Sequence, residues 1–140
     1  FDSNDFVEWT LAKLTANEPF NVVTDQISNP TLTDDIALAI IKIIKKKREG
    51  TYNIAGADWI SRFDFAKTIA KVFHLDSSLI NPILTESLGQ KAKRPLKGGL
   101  LTLKAQTDLQ MNFATTEAGL STLRHHKLKS LIENELLNLT

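Results

Sequence analysis

Cysteine is missing from all 140 residues, which excludes disulfide frameworks, thiolate zinc sites, thiol catalysis and iron–sulfur ligation. That fits a reducing compartment, and a cytoplasmic location is the expectation. Long apolar runs are missing too. The best candidate, Ile36 to Ile44, is interrupted by Lys42 and followed by a run of cations. A membrane span needs roughly 18 consecutive apolar residues, so no membrane partner is expected. The start has no basic segment, apolar core and small-residue cleavage site, and no Met. Phe1 in first place predicts a piece of a longer protein. Charge of one sign is scarce: 17 Lys+Arg against 16 Asp+Glu leave +1, a poor basis for a broad nucleic-acid-binding face. Histidines number only three, and the adjacent His125 and His126 cannot share a helix face, so no metal site is expected. The six glycines include no Gly-x-Gly-x-x-Gly and no Gly-x-x-x-x-Gly-Lys spacing, and no Gly-x-Ser-x-Gly elbow is present.

What is there reads as one globular domain, 42% hydrophobic and 24% charged. Asn4 and Asp5 can cap a helix carrying Val7, Leu11 and Leu14, which should end before Pro19. Phe20 to Thr24 predicts a short strand, and Asp25 to Pro30 a loop. Thr33 is the expected cap of a second helix, with Asp34 and Asp35 at its positive end and Lys45 to Arg48 at its negative end. Its wide apolar face is Ile36, Ala37, Ile40, Ile41 and Ile44, and Gly50 should close it. Thr51 to Ala55 predicts another strand. Ser61 with Asp64 makes a shortened capping box for a third helix carrying Phe65, Ile69, Val72 and Phe73. Leu79 to Leu84 predicts a strand around Pro82, and Thr85 to Gly99 a long polar loop. Lys104 to Leu109 is a short helix, and Thr116 opens a last one with a stripe of Leu128, Leu131, Ile132 and Leu136. The class is helix-rich α/β, with too few extended segments for a complete doubly wound sheet.

The stand-alone enzyme case is weak, and no catalytic residue is assigned. His74 suits a helix C-terminus, and the acid pair Asp34 and Asp35 is accounted for by the helix dipole. Two loops hold the interest. Thr24-Asp25-Gln26-Ile27-Ser28-Asn29-Pro30-Thr31 follows a strand, where α/β ligand sites gather, although turn-forming residues alone also explain it. Lys91-Ala92-Lys93-Arg94-Pro95 is either a solvated basic loop or a guanidinium presented to a diphosphate.

In order, these segments resemble the C-terminal, sugar-nucleotide-binding half of the extended short-chain dehydrogenase/reductases, closest to the dTDP-4-dehydrorhamnose reductase group. Asn4-Asp5-Phe6-Val7 is similar to that family's Asn-Phe-Val helix opening. Val22 to Gln26, Asn29-Pro30-Thr31 and Asp35-Ile36-Ala37 are similar to its Asp-Gln-x-Gly-x-Pro-Thr and Asp-Leu-Ala. Gly50 to Gly56 resembles Gly-x-Tyr-x-x-x-Gly, Ser61 to Ala66 resembles Ser-x-x-Glu-Phe-Ala, and Lys93-Arg94-Pro95 resembles its Arg-Pro loop. The likeness spans roughly residues 1–110, and Ser28 stands where Gly is usual. The resemblance implies that residues 1–140 form a single substrate-binding region, without the N-terminal Rossmann domain that binds NAD(P)H and carries the Tyr-x-x-x-Lys pair. Here Tyr52 is followed four residues on by Gly56.

The implied activity of the parent is reduction of a dTDP-4-keto-6-deoxyhexose in dTDP-L-rhamnose biosynthesis, with the chain alone inactive and holding no cofactor. Asn4, Phe6, Asp25, Gln26, Asn29 and Arg94 are the implied substrate-binding residues. The implied partners are a dTDP-sugar and the Rossmann domain, with a homodimer left open. The alternative is a non-catalytic regulatory module resembling the methionine adenosyltransferase beta subunit. A helical adaptor without a ligand is a third reading.

Overall fold

The computed structural model describes residues 5–89 and 92–137. Asp5 caps helix α1 (Phe6–Thr15), its carboxylate accepting the Val7 N–H at 2.9 Å. The chain turns at Asn17, which takes a left-handed conformation, and enters strand β1 (Phe20–Val23). Strand β2 (Ile27–Ser28) follows inside the stretch expected to be a plain loop. Then come helix α2 (Thr33–Lys45), strand β3 (Ile60–Ser61), helix α3 (Arg62–Phe73), strand β4 (Ile80–Ile83), helix α4 (Leu103–Leu109) and helix α5 (Thr116–Leu137).

Two small sheets organise these elements. β1 and β4 pair in parallel, from Phe20 opposite Ile80 to Val23 opposite Ile83. Pro82 is tolerated because, among the described residues, β4 has no second neighbour asking for its missing N–H. β2 and β3 pair antiparallel, Ile27 opposite Ser61. Gly98 and Leu96 add hydrogen bonds to Ile27 from the later loop. α3 is the hub: it packs on α1, α5 and β1. Its Ala66, Ile69 and Ala70 have no exposed surface. Ser61 caps it as the sequence suggests, its Oγ 3.0 Å from the Asp64 N–H and 2.7 Å from the Asp64 carboxylate.

α2 departs from expectation in four respects. Leu32, not Thr33, is its N-cap, with no side-chain hydrogen bond. Lys47, not Gly50, takes the left-handed closing position, with Arg48 N–H bonding the Ile43 carbonyl and Lys47 N–H the Ile44 carbonyl. Two of its lysines are not simply solvated. Lys42 Nζ reaches the Leu109 and Gln110 carbonyls, and Lys46 Nζ the Asp108 carbonyl, so both cap the C-terminus of α4. The apolar face is turned outward: Ala39 is the helix's buried residue, while Ile40 and Ile44 are 51% and 69% exposed.

Thr51–Ala55, expected as a strand, pairs with no strand among the described residues. Of the stripe expected on α5, Leu128, Leu131 and Ile132 are exposed, and the Leu136 side chain lies outside what is described. The helix-rich α/β class stands.

Candidate functional site

Parallel pairing brings the C-terminal ends of β1 and β4 to one edge, so Thr24–Gln26 and Leu84–Thr85 emerge side by side. That edge is where open α/β sheets place ligands. A cleft of about 460 Å³ opens beside it. Its walls come from the first turn of α1, from β1, from the start of α3 and from the loop around Arg94.

Phe6 and Trp9 form the aromatic wall. Their ring centroids are 5.9 Å apart, Phe6 stacks on Phe65 at 5.5 Å, and Trp9 meets Phe20 edge-on at 5.1 Å. These contacts anchor the wall in the core shared by α1, α3 and β1. Gln26 is buried at the floor, donating from Nε2 to Thr85 Oγ1 at 3.1 Å. Its backbone carbonyl accepts the Arg62 N–H at 3.0 Å.

Two guanidiniums face the cleft. Arg62 is half-buried, 5.0 Å above the Phe6 ring, and Arg94, exposed, lines the same cleft. Burial pushes the Arg62 pKa down, and the like charge of Arg94 adds to the shift. Among the described residues neither arginine has a carboxylate partner.

Of the residues that the resemblance implies, Phe6, Gln26 and Arg94 line one cleft. Asp25 and Asn29 are engaged elsewhere. Asp25 takes the Thr85 backbone N–H at 3.0 Å and the Thr85 hydroxyl at 2.6 Å. The hydroxyl bond is the main reason its carboxyl is held below the ordinary value. It therefore ties the β1 end to the β4 end. Asn29 donates to the Gly56 carbonyl at 3.0 Å and accepts the Leu100 N–H at 2.8 Å, clamping two loops. Gly56 has to be glycine, because a Cβ would run into the Pro30 carbonyl oxygen. Asn4 and Lys91 lie outside the described residues.

Arg62 and Trp9 are among the lining residues that sequence reasoning passed over as site residues. Arg62 had a signal: Ser61 is the cap, so Arg62 is a cation at the positive end of a helix, where the dipole disfavours it. Trp9 had none beyond its type. Tyr52 is occupied structurally, donating to Asp108 at 2.9 Å with Lys104 4.3 Å from its ring centre. Burial foremost, then Asp108, raises its pKa. No group of three acidic or imidazole side chains able to hold a metal occurs among the described residues. Nor is any described helix long and apolar enough to cross a membrane.

Known proteins are similar to this chain in sequence and in fold. The family model of the RmlD substrate binding domain matches residues 2–128. A dTDP-4-dehydrorhamnose reductase of Aggregatibacter actinomycetemcomitans is 32% identical over 114 residues, covering 74% of this chain and 39% of that protein. The spore coat polysaccharide biosynthesis protein SpsK of Bacillus subtilis is 33% identical over 92 residues, covering 66% of this chain and 32% of that protein. Among solved structures, the Bacillus anthracis dTDP-4-dehydrorhamnose reductase in complex with NADP superposes with a TM-score of 0.79 at 28% identity. It covers 87% of this chain and 43% of its own. The Clostridium acetobutylicum enzyme of the same name gives 0.76 at 27% identity, over 92% of this chain and 45% of its own. The chain thus spans less than half the length of these relatives. With the family model covering nearly all of its length, the chain belongs to the RmlD substrate binding domain family.

Proposed function

We propose that this chain is the sugar-nucleotide-binding part of a dTDP-4-dehydrorhamnose reductase-like oxidoreductase. The parent protein reduces the 4-keto group of a dTDP-6-deoxyhexose in dTDP-L-rhamnose biosynthesis. The observation that carries the reading is the cleft at the β1–β4 edge, lined both by an aromatic wall and by a guanidinium with no carboxylate partner among the described residues. A nucleotide needs both: apolar surface for its base and a planar cation for its diphosphate. Phe6 and Trp9 supply the first, Arg94 the second, and Gln26 offers polar contact at the floor.

The related Bacillus anthracis reductase holds NADP. The residues described here do not make a dinucleotide cradle. The loops leaving the parallel strands β1 and β4 carry no glycine before Gly89, which follows a short 3-10 turn rather than opening a long helix. The cofactor and the hydride step therefore belong to an N-terminal Rossmann domain that partners this region. The role of this chain is to bind the sugar nucleotide, orient its sugar towards that domain and exclude water from one side. The 140-residue chain alone is expected to show no reductase activity.

The test uses the intact protein with a dTDP-4-keto-6-deoxy sugar and follows NADPH oxidation. Arg94→Ala should raise KM by about ten- to a hundredfold, the scale of one charge-assisted hydrogen-bonding group, with a smaller change in kcat. An unchanged KM removes Arg94 from the site, and no turnover of any dTDP-4-keto sugar by the intact protein refutes the reading.

A further inference from the structure

Among the described residues, the lysines and arginines partly withdrawn from water are Lys13, Lys42, Arg62, Arg124 and Lys127. All but one are compensated. Lys13 pairs with Glu18 and Lys127 with Glu8, Lys42 bonds two carbonyls, and Arg62 lies over the Phe6 ring. Arg124, on α5, has no carboxylate, carbonyl or aromatic partner among the described residues. A guanidinium that gives up hydration without a partner is a standing cost, which an anion from outside would remove.

Arg124 lines a cavity of about 560 Å³ between the end of α3 and α5. That volume lies in the usual range of small-molecule sites. The cavity shares no residue with the β1–β4 cleft, which is built at the other end of α3. Lys71 and His74 line it from the α3 side, and His125 lines it beside Arg124. Val72, only 9% exposed, and Leu128 give it apolar surface. The acid in the lining, Glu117, is held by Lys71, whose Nζ lies 2.9 Å from both carboxylate oxygens. These two charges cancel, so Arg124 sets the sign of the cavity. The negative end of the α3 dipole lies nearby and opposes an anion. It is blunted, because the Leu75 and His74 N–H groups bond the Ala70 and Lys71 carbonyls.

Charge decides the class of occupant. A cation would meet Arg124 unshielded, and no three acidic or imidazole side chains among the described residues gather to hold a metal. An anion meets a planar fork for two of its oxygens and two imidazoles that can take up protons and donate. Several such groups around one anion suit a doubly charged phosphoryl group better than a carboxylate, and the apolar surface suits an organic body. We propose that this cavity is a second binding site, for a phosphate monoester, with Arg124 holding the phosphoryl group and His74 and His125 as further donors. The proposal does not depend on the sugar-nucleotide reading.

The experiment is calorimetric titration of the intact protein at pH 6.5 with phenyl phosphate, and with phenol as the uncharged control. The wild type should bind phenyl phosphate and not phenol. Arg124→Met should weaken that site by about ten- to a hundredfold, the scale of one charge-assisted paired contact. Arg124→Lys should recover only part of the loss, because it keeps the charge without the fork. Arg94→Met should leave the site intact. No binding of phenyl phosphate by the wild type overturns the proposal, and so does unchanged affinity in Arg124→Met. Loss of the same site in Arg94→Met places the phosphate in the β1–β4 cleft and also overturns it. Phenol binding as tightly as phenyl phosphate would reduce the cavity to an apolar slot. If Arg124→Met does not fold, the exposed His125 decides: His125→Gln should weaken the site several-fold, and unchanged affinity overturns the proposal.

Discussion

At the scale of single residues, hydrogen-bonding capacity separates cleft residues from scaffold. Asp25 spends its carboxylate on Thr85, and Asn29 spends both ends of its amide on two loops. Both stand in the loop after β1 that the resemblance marks as substrate-facing, yet their local work is to hold it in shape. For Asp25 this has a pH consequence. Its folded-state pKa lies below the ordinary value, chiefly through the Thr85 hydroxyl. The stability it contributes is therefore present above the unfolded carboxylate range and lost as pH falls through the lowered value. Asp25→Asn should melt below wild type at neutral pH. The gap should begin to close as pH drops beneath about 4 and vanish below the lowered folded-state value, where the wild-type carboxyl is neutral too. Parallel thermal melts of both proteins across that range read the effect. A gap independent of pH would mean that the loss is steric.

At the scale of elements, α3 carries the argument. Its start presents Arg62 to the cleft, and its body joins α1, β1 and α5. Ile69 is fully buried between α3 and α5, clustered with Val72 and Leu120 and flanked by Phe6 and Phe65. Ile69→Ala should cost about 2–5 kcal/mol, the usual range for emptying a closed core site. Chemical denaturation would read it as a lower midpoint at unchanged slope. Because Phe6 belongs to the same cluster, loosening α3 should also weaken nucleotide binding. The element boundaries here were largely open to sequence reasoning. Asp5 and Ser61 cap where their side chains predict, and the strands at Phe20 and Ile80 fall where β-branched residues gather. The misplaced ends of α2 have a local cause. Lys47 and Arg48 complete the two closing hydrogen bonds without glycine, an outcome that residue preference alone does not favour.

At the scale of the whole molecule, the outward apolar face of α2 is the feature least expected from its periodicity. Ile36, Leu38, Ile40, Ile41 and Ile44 are all exposed, and so are Leu128, Leu131 and Ile132 on α5. Apolar helix faces left exposed in this way promote association in water. The 140-residue chain on its own should therefore sediment above its monomer mass. The double substitution Ile40→Lys and Ile44→Lys should shift it towards monomer while leaving its helical circular dichroism intact. Monomeric behaviour of the unsubstituted chain at high micromolar concentration would contradict this.

The amino-acid sequence determined by itself what depends on neighbours a few positions apart: the caps at Asp5 and Ser61, the helix periods, the strands at Phe20 and Ile80, the helix-rich α/β class and the order of motifs that resembles one family. Those signals act over one helical turn or one strand pair, so they can be read without knowing the fold. Only the tertiary structure decided which polar groups remain free to meet a ligand. Asp25 finds Thr85 sixty residues away, and Asn29 finds Leu100 seventy-one away. Arg62 comes to rest over Phe6 from a different helix. Such pairings follow from the parallel closure of β1 on β4 and from the packing of α1 on α3. Hydrophobic period can announce that a face is apolar, but whether another surface covers it is a property of the assembled molecule, and the face of α2 is the instance.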